Sequence, residues 1–511
     1  MTLRPGTPII LDVGSAYTKI GFAGESGPRY VFPSITGTEK YKTVMVDIDA
    51  RNIYVGNDAM KMRGVLKINH PIERGVILDW DDWYQILNHA FYTLLRIENP
   101  SDHPILYVES PFEQNDVKEF IARVLFETHQ FQSLIMVPSP ILSCFSVGLT
   151  TGLVIESGDG ITWIVPIING QIIYQAVQKL NLAGMDISNN LKSLLMREGI
   201  NITSSAVDEI IREIKEKNCY FVLDPENPKN TKDNVAYPMP DGSKVGIPSH
   251  ILYKAPEVLF QPQMLGSNSL SIPQAIIECL ENTNKNYWGN FLTSMVLSGG
   301  NLMHNGFEER LKNDLDPLLS QLGSIPKPKK IEPDKEEVAL QSIEGSPKIN
   351  DTCPKCGNLV DLSEGYKACP ICGADLSMPQ ISIETNKTKV EGGDTIPSQC
   401  PKCGKNIREK DSMYCPYCGN DLRKRDYDIS KQEDEKKRIS NNNFEVNEYF
   451  DESKNVIKFY IPDNLQLSIF NGAAILGSLP SFKKLFITHE DFQSDKEIIH
   501  RDISQIFALY S

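Results

Sequence analysis

Eight of the eleven cysteines fall into four CPxCG knuckles, a spacing that points to metal. Cys353, Cys356, Cys369 and Cys372 make one pair of knuckles, and Cys400, Cys403, Cys415 and Cys418 make a second. In each knuckle two thiolates meet one ion, and the glycine that follows permits a tight turn. Two knuckles closing on opposite sides of one Zn²⁺, with Zn–S near roughly 2.3 Å, leave no coordination position open for catalysis. Zinc is the expected ion; iron held by four thiolates, or disulfides in an oxidising setting, are the alternatives. The two segments, 353–376 and 400–422, are too short to fold on buried area alone. Two structural Zn²⁺ would supply their folding free energy.

A second chemistry, phosphate binding, is written in two acidic glycine-rich turns. In LDVGSAYTK the Gly14, Ser15 and Ala16 amides can cradle a β-phosphate, Lys19 can neutralise it, and Asp12 can hold Mg²⁺ through water. In ESGDG, Gly158, Asp159 and Gly160 offer an opposing jaw. Small residues let the main chain approach an anion closely and adopt positive φ. Either turn alone reads as an ordinary hairpin; the pairing, each with an acid, carries the information. Gly299 and Gly300, read as ending a strand and opening a helix, suit an adenosine and α-phosphate at the helix N-terminus.

The elements that must position these turns follow from apolar spacing. Ile9 to Val13 and Lys19 to Ala23 read as a hairpin, and Leu153 to Ile155 with Ile161 to Ile168 repeat it, which predicts two lobes of related build. Ile105 to Val108 reads as a buried strand, and Val117, Phe120, Ile121, Val124 and Leu125 recur at helical spacing. A further amphipathic helix is expected over Val207 to Cys219. Strands alternating with helices give an α/β core. From about Ser324 to Asn350, and again from Asp426 to Asn443, charged residues, Pro and Asn replace large apolar ones, as in linkers. Globular patterning returns at Val456. The expected division is therefore a core over 1–323, an insertion over 324–446 and the rest of the core over 447–511. Cys144, Cys219 and Cys279 lie in apolar patterns and are expected to be buried.

The chain has 511 residues, a net charge of -14 and no apolar run long enough to cross a membrane. A soluble, cytoplasmic protein is expected, with no membrane insertion. The charge disfavours non-specific nucleic-acid binding by the chain as a whole.

In order along the chain, KIGFAGESGPRYVFPS, YVGNDAMKMRG, HPIERGVILDWDD, LTTG, ESGDGITWIVPI, LNLAGMDIS, REIKEKNCY, PEVLFQP, VLSGGNLM and IIHRD together resemble the actin and actin-related protein family. The resemblance covers nearly everything outside the insertion. It implies the two-lobed actin-like ATPase fold, built of duplicated ribonuclease H-like domains and here interrupted by a double zinc ribbon. It also implies ATP or ADP with Mg²⁺ or Ca²⁺ in the cleft. Lys215 and Glu216 would stand beside the ribose and base, Gly184 and Asp186 nearby, and Gly299, Gly300, Met303 and His304 around the adenosine. Ile161 closes the second phosphate turn.

The departures from the family pattern bear on hydrolysis. Ser139 stands where actins carry the Gln that orients the attacking water, Glu156 replaces the Asp before the second turn, and Trp163 replaces the following His. Indole offers no acceptor nitrogen. Ser139 and Glu156 are the remaining candidates at the water site, and ATP is expected to be bound but hydrolysed very slowly. Gln466 for Lys and His304 for Tyr alter the adenine side, and Ala16 for Gly is mild if its φ stays negative.

The resemblance also raises self-assembly into filaments, since Thr36 to Tyr54 keeps the length of the loop that actins dock into a neighbouring subunit. The insertion enters the third subdomain, where actin subunits meet, and a flexible linker of about 20 residues spans roughly 25 Å, so the ribbons can block that contact or swing clear of it. The second ribbon is basic, with Lys402, Lys405, Arg408, Lys410, Arg423, Lys424 and Arg425 against Glu409, Asp411 and Asp421. Only Tyr414 and Tyr417 are there to stack on bases. A protein partner is expected before a nucleic acid; a chromatin-linked, nuclear-type subunit is the third alternative. Double ribbons of this kind suggest an archaeal source.

Overall fold

Successive residues of the central strands face different cores, and that alternation organises the molecule. Ile9 and Leu11 of the strand Ile9–Val13 point into one apolar cluster and Ile10 into another. Leu153 and Ile155 of Gly152–Ser157 separate from Val154 in the same way. Strands apolar on both faces must be covered on both. The computed structural model describes residues 5–40, 53–202, 207–229, 231–238, 244–329, 444–449 (backbone only), 457–479, 482–501 and 503. The chain divides into two units, Met1–Pro333 with Asn441–Ser511, and Asp334–Ser440. The eight CPxCG cysteines belong to the second unit and lie outside the described residues, as does most of the loop after Thr36.

Two sheets with one wiring form the body. The first runs in the order Ile487–Thr488, Ser133–Pro138, Pro104–Glu109, Ile9–Val13, Tyr17–Phe22, Tyr30–Pro33. The second runs Gln171–Ile172, Thr162–Ile168, Gly152–Ser157, Met295–Ser298, Ile457–Pro462, Phe444–Tyr449. In each, one strand pairs antiparallel with its hairpin mate on one side and parallel with a later strand on the other. Ile9–Val13 does this with Tyr17–Phe22 and Pro104–Glu109, and Gly152–Ser157 with Thr162–Ile168 and Met295–Ser298. The duplication read from the two hairpins is thus carried through whole sheets.

Each sheet has its own outer core, around Trp83, Phe91 and Phe126 in the first lobe and around Ile214, Phe291 and Phe307 in the second. Their remaining faces share a third cluster with two helices, Ser139–Ser146 and Ser468–Ser478. Between them these helices carry the chain from the first lobe to the second and back. They cross so tightly that a Cβ on Gly472 would stand 1.8 Å from the Leu142 carbonyl oxygen.

Several expectations need adjustment. The stretch from Ser324 does not leave the body at once: Ile325 joins the second-lobe core, and Asn290 Nδ2 donates to the Lys329 carbonyl at 2.7 Å. Asn290 Oδ1 accepts from the Lys329 amide at 3.1 Å. Phe444–Tyr449 is a strand paired to Ile457–Pro462, so sheet structure resumes before Val456. The helix Asn115–Arg123 passes into a wider π-type turn, Val124–Thr128, and Phe120 packs against Trp80 at its outer edge, 4.6 Å between ring centroids. Cys144, Cys219 and Cys279 are buried as expected, with their thiols pushed up by burial. Among the described residues no helix is long and apolar enough to cross a membrane.

Candidate functional site

The two turns close in the same way. Gly14 N donates to the Tyr17 carbonyl and Gly158 N to the Ile161 carbonyl, each at 3.1 Å. Those two amides are thus engaged inside the turns, including the Gly14 amide that the sequence reading assigned to a phosphate. Nor do these glycines need left-handed backbone, since neither Gly14, Gly158 nor Gly160 has a positive φ, and Ala16 has none either. Gly160 is required by close approach: a Cβ there would lie 2.6 Å from Arg74 Cα. Gly299 is required on both counts, with φ +94 and a would-be Cβ 2.1 Å from the Ser157 carbonyl oxygen. Gly299 and Gly300 open a four-residue 3₁₀ turn, Gly300–Met303, and the helix Phe307–Gln321 starts later, so no helix N-terminus faces an anion at Gly300.

One cavity of about 450 Å³ gathers the first turn from Asp12 to Ala16 with Lys19, the second from Gly158 to Ile161, Lys215 and Glu216, Gly299 to Asn301, and Met303 with His304. Ser139, Glu156, Trp163, Gln466 and Tyr17 line it as well. Gly184 and Asp186 do not. Gly184 stands behind, its carbonyl accepting from Lys215 Nζ at 3.0 Å, and a Cβ there would crowd Asn301 and Asp159. Asp186 caps its own helix through the Ala183 amide at 2.9 Å and pairs with Arg74. Lys215 Nζ is also 3.6 Å from Asp159 Oδ1.

The two strand pairs set up a comparison inside one molecule. Asp12 lies opposite Lys19 in the first hairpin, and Glu156 lies opposite Trp163 in the second. Lys19 Nζ donates to Asp12 Oδ2 at 2.7 Å. Glu156 has no cation across its strand. Its Oε1 accepts from Ser139 Oγ at 2.7 Å and its Oε2 from Ser143 Oγ at 3.2 Å, and burial pushes its pKa up to about 7. From Ser143 a buried hydroxyl chain runs through Ser298 (3.0 Å) and Ser468 (2.7 Å) to the Leu465 carbonyl (2.8 Å). The chain therefore joins the cavity floor to both inter-lobe helices. Trp163 is flanked by Phe112, 5.9 Å between centroids, and by Lys179 Nζ, 5.4 Å from its ring. Elsewhere in the cavity lining, burial pushes His304 down to about 4, which keeps it neutral, and raises Glu216.

The sequence reading did not include Arg74, Tyr17, Arg212, Asn301 or the serine chain. Ser143 follows Ser139 by one helical turn, a spacing that signals a shared face. For Arg74 the local signal is the quasi-symmetric IERGVI, a hairpin turn with Arg where Asn or Gly is favoured.

A residue-lined cleft between two lobes of duplicated α/β wiring, with one glycine-rich turn from each, defines the two-lobed actin-like ATPase fold. A family model described as Actin matches residues 4–337, and the chain belongs to that family. A second, described as Double zinc ribbon, matches residues 353–419 and takes in all eight CPxCG cysteines. The described body also includes 457–479 and 482–501, beyond the first match, and strands from these residues join both sheets.

Proposed function

We propose that this actin-family chain holds ATP or ADP with Mg²⁺ or Ca²⁺ in the cleft, turns it over very slowly or not at all, and serves as a scaffold or specialised cytoskeletal component. Its zinc ribbons would contact partners or modulate assembly. The observation that carries the nucleotide reading is the convergence of both glycine-rich turns, Lys19 and Lys215 on one cavity of about 450 Å³, a size suited to a cofactor. The fit extends to the glycines, since side chains at Gly160 or Gly299 would displace the backbone that shapes the site. The Ser15 and Ala16 amides with Lys19 would face one part of the phosphate chain, Asp159 and Gly160 the other, and Asp12 the hydrated cation. Bound nucleotide would supply the phosphoanhydride chemistry and stabilise the closed body by mass action.

Slow turnover rests on Ser139, Glu156 and Trp163. The Ser139 hydroxyl donates to Glu156, and burial, with the Asp12 charge adding to it, holds that carboxyl up to about 7 despite Lys19, so that it is about half protonated near neutral pH. The Ser139 proton is committed to Glu156 and the Trp163 indole has no acceptor nitrogen, so slow turnover rests on lost orientation of the water and not on lost basicity, since a carboxyl near 7 is itself a competent base. Positioned acid–base groups are worth on the order of 10²- to 10⁴-fold. Single-turnover phosphate release is expected to lag that of conventional actin by at least about 100-fold, and the double variant Ser139→Gln, Trp163→His should speed it. Release at the ordinary actin rate would overturn the reading. Electron microscopy with Mg-ATP addresses assembly by comparing the full chain with one in which 334–440 is replaced by a short Gly-Ser linker. Filaments only after the replacement support a blocking insertion; filaments from the full chain favour a filament former.

A further inference from the structure

The hydroxyl chain beneath the cavity is short of one hydrogen. Five hydrogen bonds run along it: Glu156 Oε1 with Ser139, Glu156 Oε2 with Ser143, Ser143 with Ser298, Ser298 with Ser468, and Ser468 with the Leu465 carbonyl. Each of the four serine hydroxyls brings one hydrogen, so the fifth bond needs a hydrogen from Glu156. The direction follows from the closed end. A carbonyl only accepts, so Ser468 donates to Leu465, Ser298 to Ser468 and Ser143 to Ser298. With its hydrogen spent on Ser298 at 3.0 Å, the Ser143 oxygen is left to accept from Glu156 Oε2 at 3.2 Å. The complete chain therefore requires the acid form of Glu156, with its proton on Oε2.

The surroundings favour that form. Burial is the largest influence raising the carboxyl; Asp12 from the first hairpin adds to it, Lys19 opposes it, and Trp163 across the strand is uncharged. Ser143, Ser298 and Ser468 are fully buried, so a hydroxyl pair left without a hydrogen between them has no solvent to turn to. Ser139 lines the cavity and Ser143 does not, which puts the accepting Oε1 on the cavity side and the proton on the inner side. Ser143 belongs to one inter-lobe helix, Ser468 to the other, and Ser298 ends the strand Met295–Ser298 between them. We infer that Ser143, Ser298 and Ser468 are positioning residues that keep a proton on Glu156 and turn it away from the cavity, so that protonation of the cavity floor is tied to the crossing of the two inter-lobe helices. When Glu156 ionises, the Ser143 hydrogen turns to the carboxylate and a buried bond between Ser143 and Ser468 is lost. This holds with or without a bound nucleotide.

The test titrates the full chain, free of nucleotide, by infrared spectroscopy from about pH 5 to about pH 9. The signal is the carbonyl stretch of a protonated carboxyl that Glu156→Gln removes. It should be present below about pH 7. Ser298→Ala leaves the remaining bonds with enough hydrogens for an ionised Glu156 and should lower the midpoint by about one pH unit. Ser139→Ala removes a donor to the carboxylate and should raise it. In Glu156→Gln the amide N–H replaces the acid proton and completes the chain at every pH. Amide exchange over 139–146 and 468–478, taken relative to that variant at each pH, should therefore rise in wild type as the carboxyl signal disappears. Burial acting alone leaves the midpoint of Ser298→Ala unchanged or raised, and either result overturns the inference. So does a missing carboxyl signal in wild type, or exchange that stays level with Glu156→Gln throughout. Ser468→Ala, which should also lower the midpoint, serves should Ser298→Ala not fold.

Discussion

Asp12 and Glu156 occupy the same place in two copies of one hairpin, and their surroundings give them opposite electrostatics. Across its strand Asp12 meets Lys19; Glu156 meets an indole and is held by two serine hydroxyls. Unfolded, Glu156 titrates near 4.5; folded, near 7. Between those values the folded chain keeps a proton that the unfolded chain has lost, so this group's contribution to stability falls as pH rises and is fully unfavourable above about 7. Glu156→Gln should therefore stabilise the protein more at pH 8 than at pH 5, by about 2 to 3 kcal/mol in urea denaturation. An equal effect at both pH values would show that the carboxyl is not held up. Which residues faced the cavity was largely legible, because glycine and acid types at fixed spacing declare a turn. What each side chain does there was not. The Arg74–Asp186 pair spans 112 positions, and the Glu156–Ser139–Ser143 contacts need the fold to bring a strand edge beneath a helix.

At the scale of elements, the two hairpins and the strand from Ile105 to Val108 followed from apolar runs, since burial on both faces leaves little room for another reading. Phe444–Tyr449 escaped because FEVNEY alternates weakly and follows a charged stretch. Pro326 and its neighbours looked like linker by composition yet pack on Gly289, where a Cβ would lie 2.2 Å from the Pro326 carbonyl oxygen. The helix crossing gives a direct test. Gly472→Ala must push its helix off Leu142 and should cost about 1 to 3 kcal/mol, read as a lowered melting temperature. Gly64→Ala, with nothing within 4 Å and no positive φ, should leave it unchanged.

For the whole molecule, the two units should respond separately to metal. Eight thiolates in two closed sets predict about two zinc ions per chain, released to a chromogenic chelator when the thiols are modified. Because the body has cores of its own, chelation should leave its melting transition in place while exposing those eight cysteines to thiol reagents. Collapse of the body on zinc removal would show that the ribbons are integral to it. Among the described residues the chain passes between lobes along Ser139–Ser146 and Ser468–Ser478, and those two helices touch backbone to backbone at Leu142 and Gly472. Such a waist behaves as a pivot bearing: it tolerates twist about the point of touch and resists sliding, so the cleft should open by torsion, with the rotation axis passing near Gly472.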